Sequence, residues 1–140
     1  MWRGDVEIVE GLVAGVVGGD KQTLLAALPE LIAQICDPDI EWVEDPQRAD
    51  GVVHRGYEGV RTSWEEWLTG FDQHSYEVDQ VIDCGSDVLV VGKEHGRGAA
   101  SGASVSSSHY AVLTFRDGKL LRYREFYDEH AARQAAGLAE

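Results

Sequence analysis

Tyr123, Glu125 and Tyr127 recur at every second residue, so on a β-strand all three side chains leave the same face. A carboxylate flanked by phenols can accept a proton from carbon next to a carbonyl while a phenol donates to the developing enolate oxygen. His54, His95 and His109 are further candidate bases, because imidazole titrates near neutrality. Each has a plainer reading. His54 precedes a helix and can bond a loop carbonyl, and His95 shares a strand face with Lys93 and Arg97 and is expected in solvent. His54 is the first choice of the three, since loop-to-helix junctions rim such sites.

Other chemistries find no pattern here. Ser108 and His109 are neighbours on a strand and point to opposite faces, so they form no dyad. Gly96 and Gly98 lack the strand-turn-helix setting of a phosphate loop, and no nucleophile elbow occurs. No two histidines have a metal-ligand spacing, and Cys36 and Cys84 are far apart, which argues against zinc and against a disulfide framework. Neither a cofactor nor a metal is expected. The formal net charge of −13, from 25 acidic and 12 basic residues, opposes binding to nucleic acid or to an anionic membrane surface. No run approaches the apolar length of a membrane span, and the first residues lack the basic and apolar segments of a secretory signal, so a cytoplasmic location is expected.

The elements that must position these residues are readable from periodicity. Val6, Val9, Val13, Val16 and Val17 trace one helix face, ended by Gly18-Gly19. After a possible cap at Asp20, Leu24, Leu25, Leu28, Leu31, Ile32 and Ile35 trace a second, in which Pro29 predicts a kink or restart and Asp37-Pro38-Asp39 the end. A short strand is predicted over Ile40–Glu44, a loop over Asp45–Gly51, and a helix from near Gly56 carrying Val60, Trp64, Trp67, Leu68 and Phe71 on one side. Period two then takes over in Tyr76–Asp83, Val88–Arg97, Ser106–Phe115 and Leu120–Tyr127, with a short helical tail over His130–Leu138. The Gly, Ala and Ser bias of Gly96–Ser108 fits either a flexible loop or the tip of a long hairpin. Helices followed by antiparallel strands give an α+β fold.

Asp117-Gly118 is a strong two-residue hairpin turn, and it predicts a register. Arg116 would oppose Lys119, Thr114 Leu121, Val112 Tyr123, Tyr110 Glu125, and Ser108 Tyr127. One face then carries Ser108, Tyr110, Val112, Tyr123, Glu125 and Tyr127. The other carries His109, Ala111, Leu113, Phe115, Leu120, Arg122, Arg124 and Phe126, and periodicity leaves open which one looks inward.

Several stretches together resemble the SnoaL-like (polyketide cyclase-like) branch of the nuclear transport factor 2-like superfamily. They are Gly19-Asp20 before a leucine-rich helix, Ile40-Glu41-Trp42, the run from His54 to Arg61, Gly96-Arg97-Gly98 with Ser101-Gly102, and Arg116-Asp117-Gly118-Lys119 followed by the run from Tyr123 to Asp128. The resemblance covers nearly the whole chain. It implies one domain over 1–140, a cone-shaped roll in which a curved antiparallel sheet wraps around helices. It also implies that the face bearing Tyr110, Tyr123, Glu125 and Tyr127 looks inward, with a second acid at Glu94. Epoxide hydrolase-like members carry an arginine two residues before that acid, where this chain has Gly92, so the cation that would let both carboxylates ionise is missing there.

What the resemblance then implies is a coupled pair of glutamates, Glu125 as leading base and Glu94 as its partner, with His54 as a further catalytic candidate. Trp42, Glu44, Tyr57, Trp64, Trp67, Tyr110, Tyr123 and Tyr127 would line a pocket for a small apolar or ring-bearing molecule. Isomerase, cyclase or dehydratase chemistry fits this set. The alternatives are a non-catalytic ligand-binding or dimerisation module of the same shape, with the glutamates bonded to each other and to Lys93 or Arg97 and the tryptophans as core. A homodimer through the convex sheet is implied by the resemblance, and Arg122, Arg124 and Phe126 offer a face for another partner.

Overall fold

A computed structural model describes residues 21–45, 53–69, 71–98 and 102–138 of the chain. The helix predicted over Val6–Val17, the Asp20 cap and most of the Asp45–Gly51 loop lie outside the described residues.

Helix α1, Lys21–Ile35, buries Leu28 and Ile32 one turn apart. It runs through Pro29 without the predicted restart: Pro29 is exposed, so water can serve the carbonyl that loses its helical partner. Strand β1, Cys36–Val43, takes in Asp37-Pro38-Asp39, which was expected to be a break. Pro38 is accommodated at an irregularity in pairing between Cys36 and Glu41, and Arg116 grips the segment by bonding Asp37 at 3.0 Å and Asp39 at 3.1 Å. Strand β2, Val53–Arg55, pairs antiparallel to β1 and sets His54 opposite Trp42, so His54 sits on a strand and not in a loop. Helix α2, Gly56–Thr69, follows directly, with Val60 buried and Trp64 one turn on.

Strands β3 (Phe71–Asp83), β4 (Asp87–Gly98), β5 (Ser104–Arg116) and β6 (Lys119–Phe126) form an antiparallel meander, and the Gly96–Ser108 stretch lies largely in the ends of the long β4–β5 hairpin. The six-stranded sheet has the order β2-β1-β6-β5-β4-β3. Its β1–β6 pair is parallel, so the sheet is mixed where an antiparallel one was expected; the long path between these two strands permits parallel pairing.

Asp117 and Gly118 both have positive φ, 52° and 80°, as the predicted primed turn requires. Arg116 pairs with Lys119 and Phe115 with Leu120, but Thr114 then pairs with Arg122, leaving Leu121 as a bulge. Beyond it Leu113 opposes Tyr123, Ala111 opposes Glu125 and Tyr110 opposes Phe126. The predicted register is therefore one residue out above the bulge, and the two faces exchange partners.

One core lies on the concave side, where Leu28, Ile32, Cys36, Ile40, Val60, Val88, Val90, Ala111, Leu113 and Leu120 pack with Trp42, Trp64 and Tyr123 at its margin. Leu89, Val112, Ala132 and Ala136 form a second on the convex side, with Tyr110 and Phe126 against it. Helix α3, Glu129–Ala135, covers that side; it is capped by Asp128, whose side chain accepts the Ala131 N–H. Of the proposed partner face, Phe126 is thus packed against this second core, Arg124 is half-buried against Asp87 and the Ala135 carbonyl, and Arg122 alone stays exposed. Among the described residues no helix is long and apolar enough to cross a membrane.

Burial raises the Cys36 thiol from 9.0 to about 11, with the Lys119 charge opposing it. Its thiolate is correspondingly scarce in the native state, while Cys84 sits part-exposed at the β3–β4 turn. We expect alkylation of the native protein at mildly alkaline pH to modify Cys84 first and Cys36 only at the rate of unfolding. Mass spectrometry of the time course reads both, and equal rates would contradict the buried placement of Cys36.

Candidate active site

The bulge at Leu121 decides what the concave face contains. Tyr123, Glu125 and Tyr127 point to the same side as His109, Ala111 and Leu113, and β4 contributes Val88, Val90, Gly92 and Glu94 in the same parity. His109 therefore joins the site, where the hairpin register had set it on the opposite face.

Glu125 is 8% exposed and His109 4% exposed. The His109 Nε2 atom lies 3.2 Å from Glu125 Oε2, and the Asp45 backbone N–H donates to Glu125 Oε1 at 3.1 Å. Asp45, itself buried, accepts the Tyr127 N–H at 2.6 Å and so ties the end of β1 to the end of β6. The Tyr127 hydroxyl donates to Glu94 Oε1 at 3.2 Å and reaches Glu125 Oε2 at 3.5 Å, bridging the two carboxylates. Tyr123 brings its hydroxyl to 3.3 Å from His109 Nε2, and Tyr76, from β3, brings its own to 2.8 Å from His109 Nδ1.

Electrostatics keep the two inner phenols protonated. Burial, followed by the Glu94 and Glu125 charges, pushes the Tyr76 phenol well above its ordinary value. Tyr123 is driven up in the same way, by burial first and Glu125 second. Both serve as neutral hydroxyls throughout the ordinary pH range.

Beside this group stands a second polar cluster. Glu44 Oε2 lies 3.1 Å from His54 Nε2 and accepts the Ser63 hydroxyl of α2 at 3.2 Å, with Ser63 buried and the other two part-buried. Between β1 and β6, Trp42 stacks on Tyr123 with ring centroids 3.7 Å apart and planes 12° from parallel, and Trp64 leans on Trp42 at 6.1 Å. These rings are part-buried, a flat apolar wall beside the acid/base groups.

Of the residues expected in the site, Glu94, Glu125, Tyr123 and Tyr127 come together, with Trp42 and Trp64 flanking them. Glu44 and His54 meet each other in the neighbouring cluster. Two expectations are corrected. Tyr110 faces the convex core, because the bulge shifts β6 by one residue and pairs Tyr110 with Phe126 in place of Glu125. Tyr57 is exposed at the start of α2, where its hydroxyl bonds the Cys36 carbonyl at 3.2 Å. The Trp67 side chain lies outside the described residues. His95 bonds Glu77 and Ser106 at the surface, as expected of a solvated residue. His109, named as a candidate base but set on the opposite face by the hairpin register, joins the site, and Tyr76 was missed. Each lies on a separate strand, and only tertiary pairing brings them to Glu125.

One ligand atom each from Glu94, His109 and Glu125 falls within 4.8 Å of the others, a set able to hold a divalent cation. The same atoms are linked here by hydrogen bonds among themselves and the phenols.

Curved sheet, flanking helices and an acid/base cluster on the concave side define a class, and sequence comparison gives its name. The profile of the SnoaL-like domain matches residues 19–123, and the chain belongs to that family. An uncharacterised PhzA/B-like protein of Pseudomonas aeruginosa is 30% identical over 89 residues, which make up 60% of this chain and 62% of that one; the match thus spans under two thirds of the relative. A candidate SnoaL-like polyketide cyclase from Jannaschia superposes with a TM-score of 0.71 at 17% identity, covering 99% of this chain and 94% of that one. TerC, co-crystallised with polyporic acid, superposes with a TM-score of 0.67 at 20% identity, covering 96% and 98%. At such identities the structures establish the shared fold, the nuclear transport factor 2-like roll.

Since Tyr76 and Tyr123 have folded-state values raised above those of the unfolded chain, their neutral forms favour folding. That contribution is full below the unfolded phenol value near 10.0 and is lost as pH rises through the folded values. Ultraviolet titration should show two tyrosines ionising only with alkaline unfolding, and the Tyr76→Phe, Tyr123→Phe double variant should lack that delayed step. Smooth ionisation of every tyrosine in the folded protein would refute the buried placement.

Proposed function

We propose that the chain is a cofactor-independent acid/base catalyst that moves a proton at carbon next to a carbonyl, on a small apolar or ring-bearing molecule, as an isomerase, cyclase or dehydratase does. The observation that carries this reading is the buried Glu125 carboxylate, facing His109 at 3.2 Å and joined to Glu94 through the Tyr127 hydroxyl. Glu125 would take the proton. Glu94, sharing the Tyr127 hydrogen bond, would return one, since two carboxylates this close titrate as a pair. The Tyr127 and Tyr123 hydroxyls would donate to the enolate oxygen. The Trp42–Tyr123 stack supports a flat, ring-bearing substrate. TerC, of the same fold, was crystallised with polyporic acid, which accords with a small-molecule ligand for this chain.

His54 would assist from the adjacent cluster, where its ring faces Glu44. Without the arginine of the epoxide hydrolase-like pattern, Gly92 weighs against hydrolysis of epoxides.

A panel of small cyclic and aryl ketones in deuterated buffer provides the test. Exchange at carbon next to the carbonyl, followed by proton NMR, should be accelerated by the native protein, and Glu125→Gln should lower the rate by about 10²–10⁴-fold. Carboxyl carbon NMR should show Glu94 and Glu125 titrating as a coupled pair. No exchange across the panel, together with two independent ordinary titrations, would remove the catalytic reading; quenching of tryptophan fluorescence by a ring ligand in that case would leave a binding module.

A further inference from the structure

Gly92 marks a place where a side chain is sterically forbidden. A Cβ built on it would lie 2.5 Å from the Glu77 carbonyl oxygen and 2.9 Å from both Cε1 and Cζ of Tyr76. Real Cβ atoms do not approach so closely, so the Tyr76 ring occupies the space over β4 that any residue at 92 would claim. The β3 strand is irregular here: Val78 pairs with Gly92 and Gln80 with Val91, leaving Asp79 as the additional residue. Lying across the bare backbone, Tyr76 sets its ring edge-on to His109, 5.3 Å between centroids at 85°, and its hydroxyl 2.8 Å from Nδ1.

The two sides of the His109 ring are therefore served by different chemistry. Nε2 faces the Glu125 carboxylate, which only accepts when ionised, and Nδ1 faces a phenol, an O–H donor near neutral pH. With Glu125 ionised and the ring neutral, one arrangement satisfies both: the proton sits on Nε2 and is donated to Glu125, while Nδ1 accepts from Tyr76. The Tyr123 oxygen, 3.3 Å from Nε2, can share that donor.

We propose that Tyr76 is a positioning residue, admitted by the missing side chain at Gly92, whose hydroxyl donates to Nδ1 of His109 and holds the ring as the Nε2–H tautomer that donates to Glu125. His109 then serves as an orienting donor to the base and is not itself the base. This catalytic meaning rests on the acid/base reading above; the tautomer does not, so the experiment reads the ring directly.

Nitrogen NMR of the histidine rings in the full-length, isotope-labelled protein near neutral pH provides that reading. For His109 the expected pattern is a protonated-type resonance at Nε2 and an unprotonated-type resonance at Nδ1. In Tyr76→Phe, which keeps the ring volume, the Nδ1 resonance should shift, through loss of its hydrogen bond or of the single tautomer. Gly92→Ala should displace the Tyr76 ring and produce the same shift. A protonated Nδ1 in the native protein overturns the proposal, whether Tyr76 is then the acceptor or a cation holds Nε2; a chelator control separates these two. Native resonances persisting in Tyr76→Phe overturn it equally, and because that variant only removes a hydroxyl, it remains informative if Gly92→Ala fails to fold.

Discussion

Side-chain parity on a strand has no intermediate state, and one unpaired residue in β6 settles what this protein's concave face contains. With Leu121 bulged out of the ladder, Tyr123 faces Leu113 and Glu125 faces Ala111, which brings His109 to the Glu125 carboxylate. Without the bulge, Glu125 would share its face with Tyr110, and His109 would stand on the other side of the sheet. The bulge serves packing as well. It lets Leu120 and Tyr123 both face the core that holds Leu113 and Ala111, while Phe126 falls on the side of Val112 and Tyr110, beneath α3.

The site is held from several directions that are independent of one another. Asp45 at the end of β1 touches Glu125 through its backbone N–H and Tyr127 through its carboxylate, so the parallel β1–β6 pair fixes the height of the Glu125 carboxylate. From the far side, β3 supplies Tyr76 across the bare backbone of Gly92. Glu94 enters from β4, and Tyr127 closes the circuit between the two carboxylates. With His109 from β5 and Glu125 itself on β6, five strands thus contribute to the network around one buried carboxylate, which is the kind of support that keeps a polar group ordered in a low-dielectric interior.

Much of the architecture was legible in the sequence, because apolar period and turn chemistry are local. The Trp-bearing helix, the four long strands and the Asp117-Gly118 turn all form, although Phe71, expected on the helix, instead opens β3 ahead of its predicted start at Tyr76. Other features were not, each for a physical reason. Pro29 suggests a break, but on an exposed helix face it is tolerated; Asp37-Pro38-Asp39 has the composition of a loop, but the Arg116 clamp and an irregular pairing keep it in β1. The bulge at Leu121 is set by which face each strand buries, a tertiary choice that a turn-derived register cannot contain. That single miss propagated along the hairpin, displacing Tyr110 from the site and His109 into it.

The resemblance pairs Glu94 with Glu125, and the Tyr127 hydroxyl reaches both, yet the resemblance reads Gly92 only as a lost arginine. Viewed in three dimensions, the glycine is less a deletion than an exchange. Where an arginine would carry a positive charge between the acids, this chain leaves room for a neutral phenol that reaches His109. A cation would stabilise both carboxylates in their ionised forms. The Tyr76 phenol and the His109 imidazole instead reach Glu125 alone, and the link to Glu94 is left to the Tyr127 hydroxyl, so one bare position changes which neighbours the two glutamates have within a fold shared by many proteins.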